Sequence, residues 1–192
     1  MERRELFKRI VPSWTNALAS FWGLAEATIF FIVPDVQLSW LALRSPKRGL
    51  VACLFALLGA LIGGSVMWMW GRSDPDVARA VVESLPATSS VMTAGVRQQL
   101  TDSGLAALFL GPLGGIPYKI YAVEAAHLGY GLAIFLLVSL PARLTRFVLV
   151  TSIAGAVSWT LRRRLSLRAV QSIHVAFWTV FYAWFFTVMA DS

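Results

Sequence analysis

Five apolar stretches, parted by polar or basic segments, fill most of the 192-residue chain. They run from about Phe21 to Leu43, Leu50 to Trp70, Leu105 to Ala126, Leu132 to Trp159 and Val175 to Met189. The second is unbroken and, at about 20 residues, long enough to cross a bilayer as a helix. The fourth contains Pro141, where a helix would kink or locally open. The fifth is dense in aromatics, among them Phe177, Trp178, Phe181 and Tyr182. The first and third are different: each is broken by a proline with a charge at or next to it. The breaks read Ile32-Val33-Pro34-Asp35 and Gly114-Gly115-Ile116-Pro117-Tyr118-Lys119. The front arm of the first stretch, about 13 residues, is only ~20 Å long as a helix, against ~30 Å of hydrocarbon. It cannot cross. Breaks of this kind survive only where they are buried in protein or line a wet cavity.

The pattern therefore predicts an all-α integral membrane protein with two opposed re-entrant helical hairpins and about three spanning helices. The backbone breaks are placed at Pro34, Gly114, Gly115 and Pro117. Pro34 to Pro117 is 83 residues, and Gly49 shifted by 83 lands on Leu132, where the fourth stretch begins. Gly/Pro-interrupted segments at matching positions in two halves are the mark of an inverted repeat around a midplane site. One membrane domain is expected over residues 1–192. It comprises a hairpin plus helix (21–71), an outer polar loop (73–103), a second hairpin plus helix (105–159) and a last helix (175–189). In the loop, Val77, Val81 and Leu85, and later Val96 and Leu100, sit at helical spacings and predict short interfacial helices. Gly59, Gly63 and Gly64 give the second stretch a small-residue face for close helix packing.

Composition agrees: 57% of residues are hydrophobic and 14% charged, where a soluble domain carries about a quarter charged. The net charge of +7 is not a nucleic-acid signal, because eleven of the 17 basic residues fall in three clusters flanking apolar segments. These are Arg3, Arg4, Lys8 and Arg9; Arg44, Lys47 and Arg48; and Arg162, Arg163, Arg164 and Arg168. Basic flanks hold membrane segments cytoplasm-side. The predicted topology puts all three clusters on that side, the N-terminus with them and the C-terminus on the outer face. No apolar run ending in a small-residue cleavage site follows Met1-Glu2-Arg3-Arg4, so no cleaved leader is expected. The lone Cys53 reads as a packing residue.

Six charges lie in or near apolar stretches: Glu26, Asp35, Lys119, Glu124, Arg143 and Arg146. Each costs ~3 kcal/mol at the bilayer centre, so six facing lipid would cost ~18. They must pair, reach water or snorkel. Glu26 reads either as a carboxylate satisfied by one base or as a proton-binding group, and Asp35 either as a partner in that role or as a helix cap. Arg143 and Arg146, three apart, share a helix face, and they read either as forked donors that match phosphate oxygens or as a snorkelling pair at a cytoplasmic helix end, with the span finishing near Pro141. Lys119 either meets phosphate or neutralises Asp35. Glu124 and His127 are placed at the interface. His174 has no partner in sequence that would signal a metal. No nucleophile elbow, phosphate loop, zinc motif or paired-cysteine motif appears, so neither enzyme nor cofactor is expected.

Phe21-Trp22-Gly23-Leu24-Ala25-Glu26, Pro34-Asp35, the Gly63-Gly64 helix ending Trp70-Gly71-Arg72, and Gly115-Ile116-Pro117-Tyr118-Lys119 together resemble the DedA family. These are also called SNARE-associated or VTT-domain proteins, and the likeness is to the YqaA-like branch. The resemblance covers about Phe21 to Trp159. It implies a bacterial inner-membrane protein that moves lipids between leaflets, polyprenyl phosphate or phospholipid, with a homo-oligomer left open. In its terms Glu26 and Asp35 would couple protons while Lys119, Arg143 and Arg146 bind the headgroup. This chain departs from the family where an arginine-phenylalanine-x-proline-x-x-arginine motif is replaced by Gly-Gly-Ile-Pro-Tyr-Lys, with the arginines following later. The rival expectation is a non-transporting assembly or envelope-maintenance protein whose buried charges are structural. An ion channel or small-solute carrier is a third.

Overall fold

The structure, a computed structural model, describes residues 14–86 and 88–190; the basic cluster at Arg3 to Arg9 lies outside them. Among the described residues every regular element is a helix. In chain order these are α1 (Trp14–Thr28), α2 (Asp35–Arg44), α3 (Pro46–Ser73), α4 (Pro75–Glu83), α5 (Ser90–Ser103), α6 (Ala107–Leu110), α7 (Tyr118–His127), α8 (Leu132–Leu161) and α9 (Leu167–Ala190). Three are long and apolar enough to cross a membrane: α3, α8 and the Leu167–Thr187 part of α9. By contrast α1, with 15 residues, is ~22 Å long, and α2 and α7, with 10 each, are ~15 Å long.

Local chemistry sets the boundaries. Pro46 follows the extended Ser45 and opens α3 at a position whose missing N–H would be unsatisfied anyway. Asp74 ends α3 and caps α4, its side chain accepting from the Val77 amide at 3.2 Å. Ser89 caps α5 through the Met92 amide. The polar stretch after α3 thus folds largely as two short helices. α8 passes through Pro141 without ending. Neighbouring helices can compensate such a lost bond inside a bundle.

α3 is the spine. A side-chain carbon on Gly59 would lie 1.8 Å from the Ser20 carbonyl oxygen, and one on Gly63 would lie 2.8 Å from Ala27. α1 therefore lies backbone to backbone on α3 and runs alongside it in the same direction. Higher on the same face, Gly64 meets the Tyr118 ring and Gly71 the Val123 backbone of α7. The opposite face carries Leu54, Leu58, Ile62 and Val66, four apart and each about half exposed. Small residues inward and large apolar ones outward are what packing within lipid requires. At the far end Ser158 of α8 donates to the Leu43 carbonyl at 2.9 Å, and Gly155 touches Pro46. The basic clusters at Arg44–Arg48 and Arg162–Arg168 thus sit at one end of the bundle.

The first break differs from the expected position. α1 stops at Thr28 rather than at Pro34, so the non-helical segment spans residues 29–34. Proline steers the residue before it away from the helical region, and Thr28 turns its hydroxyl back onto the Leu24 and Ala25 carbonyls. At the second break α6 leads into one tight turn, Gly111–Gly114. Gly115 then takes φ +88°, a conformation that favours glycine, and Pro117 is extended before α7.

Gly59→Val should destabilise the protein by about 1–3 kcal/mol or more, since the α1 backbone cannot yield without unpacking. Gly95→Ala in α5, with open space around it, should instead stabilise by about 0.5–1 kcal/mol. Thermal melts in detergent check both.

Candidate functional site

The two breaks meet, and three backbone groups of the first take side-chain partners. The Phe30 carbonyl, past the end of α1, accepts from Lys119 Nζ of α7 at 2.8 Å. The Ile32 carbonyl accepts from the Trp22 indole at 2.9 Å, and the Val33 amide donates to the Tyr182 hydroxyl of α9 at 2.9 Å. An acid near one break and a base at the other were expected to face each other, with Lys119 on phosphate or on Asp35. Lys119 instead holds a backbone carbonyl, is almost fully buried, and makes no ion pair among the described residues.

The acids pair with the arginines of α8. Glu26, two residues before the end of α1, binds Arg143, both buried. The Arg143 guanidinium also lies 4.4 Å over the Tyr118 ring and 5.1 Å from the Phe147 ring. Asp35 opens α2, but its side chain does not cap that helix. It accepts from Arg146 Nε at 3.1 Å and Nη2 at 2.8 Å, both on the same oxygen. The other Asp35 oxygen is buried without a hydrogen bond, as are Arg143 Nε and the Tyr118 hydroxyl. Arg143 and Arg146 do share a face, and that face points into the bundle.

Beside these pairs lies a cavity of about 100 Å³, well above the roughly 10–15 Å³ that a single water needs. Glu26, Lys119 and Arg146 supply its charged wall, Gly115 to Pro117 its floor at the second break, and Trp178 and Tyr182 of α9 its apolar side. Of these three charged groups two are bases and one is an acid, an excess of one positive charge when all are ionised. Such a wall favours an anion.

Glu124 corrects the sequence reading. It is fully buried, not interfacial, because α4 and α5 fold over it. Arg79 Nε reaches one carboxylate oxygen at 2.8 Å and Arg97 Nε the other at 2.9 Å. The bond from Glu124 pushes the Arg79 pKa further above its usual range, so that arm of the clamp stays charged. Arg79 and Arg97, both in the polar stretch after α3, are the partners that bury Glu124. A lone acid in an apolar stretch beside a loop with two arginines was the available signal. His127 is exposed. His174 reaches Ser39 at 2.8 Å and accepts from the Trp178 indole at 3.1 Å, and no cluster of metal ligands occurs among the described residues. Trp22 and Tyr182, which satisfy the first break, carry no signal in the sequence beyond being aromatics with a polar handle.

No family model matches the chain, and no solved structure matches it. An uncharacterized protein of Haemophilus influenzae is 24% identical over 161 residues, covering 84% of this chain and 81% of its own. An uncharacterized protein of Histophilus somni is 27% identical over 172 residues, covering 87% of each. The likeness thus extends over most of the length of all three chains.

Glu26→Ala or Arg143→Ala alone strands a buried charge and should cost about 3–5 kcal/mol. The double variant should cost clearly less than the sum of the two. A double-mutant cycle by denaturation in detergent reads the difference, and simple additivity would mean that the pair does not interact.

Proposed function

We propose that this chain is a DedA-like membrane protein that moves lipids with an anionic phosphate headgroup, in exchange for or together with protons. The observation that carries the proposal is the net-basic cavity where the two broken segments meet. In this reading α1–α2 and α6–α7 are re-entrant hairpins entering from opposite sides. Three features support the inverted repeat. α2 and α7 are both ten residues long, Asp35 to Tyr118 and Arg44 to His127 are both offsets of 83, and each helix follows a proline. The basic clusters at one end of the bundle favour a cytoplasmic placement of that end, with α9 carrying the C-terminus outward. The two bacterial relatives favour a bacterial inner membrane.

The chemistry follows from competition for guanidinium. Arg143 and Arg146 are held by carboxylates, and protonating Glu26 or Asp35 removes the charge that holds them. Phosphate oxygens offer the same forked geometry and take the vacated place. Lys119, held only by a carbonyl, adds a third contact without breaking an ion pair. Return of the carboxylate charge then expels the headgroup.

One observation favours a second reading. Both arginines are already matched to acids, as in a membrane assembly or envelope-maintenance factor whose buried charges only fix its fold. Reconstituted vesicles separate the two. Leaflet exchange of fluorescent phosphate-headgroup lipids should depend on pH and fall at least tenfold in Arg143→Ala and Glu26→Gln, with both variants folded. No exchange above empty vesicles, with or without a pH gradient, would favour the second reading for those lipids.

A further inference from the structure

A second, apolar groove of about 570 Å³ runs between α9 and the first hairpin, a volume ordinary for a small-molecule site. Trp22, Ile32, Val36 and Trp40 form one wall, and Val175 and Thr179 the other. It adjoins the charged cavity, and Phe30, Trp178 and Tyr182 line both. The geometry points to this groove as the seat of one hydrocarbon chain of the lipid whose phosphate headgroup occupies the cavity. The inference rests on the reading of that cavity as an anionic headgroup site, and it names where the rest of the molecule lies.

Two features argue for this occupant over ordinary bilayer lipid. The first is continuity. A headgroup in the cavity must have its chains leave toward hydrocarbon, and the three aromatics that line both spaces put the groove immediately beside it. The second is contrast within α9 itself. Its other face, at Phe177, Val180 and Trp184, forms a groove of similar volume, about 540 Å³, which meets the charged cavity only through Phe181. Mere greasiness would make the two grooves equivalent, whereas a chain tethered to a bound headgroup would use only the first. α9 is also the least embedded of the three long helices, with 6% of its membrane window buried against 50% for α3. It is pinned to the first hairpin at Ser39–His174 and Val33–Tyr182. A chain entering the groove therefore displaces little packed structure.

The test uses the full-length protein in phosphatidylcholine vesicles containing phosphatidic acid with a photoreactive group on its acyl chain. Diacylglycerol with the same chains serves as the headgroup-free control. Phosphatidic acid should label groove residues such as Ile32 and Thr179 severalfold more than Phe177 and Val180. Diacylglycerol should label both faces alike. Thr179→Trp, at an exposed position, and Val36→Trp should each remove the excess. Equal labelling of the two faces by both lipids would overturn the groove assignment. Leaflet exchange measured in the same vesicles keeps the two ideas apart. Headgroup-dependent groove labelling without exchange upholds the groove and sinks transport, while exchange without groove labelling sinks the groove alone.

Discussion

A lysine on one broken segment donates to a backbone carbonyl on the other, and the centre of the molecule depends on that bond. Inside hydrocarbon an unsatisfied backbone group costs several kcal/mol, because no water can replace the missing partner. The segment at residues 29–34 frees such groups, and each partner seen comes from a different place: Lys119 from α7, Tyr182 from α9, Trp22 from α1 itself. The break therefore exists only in the assembled bundle. Its satisfaction joins the two halves of the chain before any ion pair is considered.

The spine makes that assembly possible. With glycine at 59 and 63, α1 sits close enough to α3 to bring Glu26 beside Arg143. With glycine at 64, the Tyr118 ring lies flush against α3 and under the Arg143 guanidinium. The charges are thus positioned by close helix contacts right beside them, since Gly63 meets Ala27 and Leu24 on either side of Glu26. Buried pairs of this kind add little net stability. Their weight lies in the cost of losing one partner, which leaves the other charge buried and uncompensated.

α4 and α5 follow the same rule in simpler form. Glu124 takes one arginine on each oxygen and so fastens α4 and α5 to α7. Pro86, in the loop between them, reaches the wall of the charged cavity. A polar stretch that looks like solvated surface in one dimension becomes the cover of the site in three.

Much of this was written into the order of residues. Apolar length set the three long helices, because a bilayer fixes how many apolar residues a crossing helix needs. Proline and glycine announced both breaks through the backbone conformations they impose or allow, and the spacing of Arg143 and Arg146 put them on one face. Other features depend on distant segments. The break before Pro34 runs over six residues, and Lys119 and Tyr182 from elsewhere in the chain receive groups that it frees. Lys119 serves a carbonyl rather than an acid, and Glu124 is buried rather than interfacial, because α1, α4 and α5 arrive beside them. Which base meets which acid is settled by through-space distance between segments about a hundred residues apart, such as Glu26 and Arg143, and no periodicity along a chain encodes that.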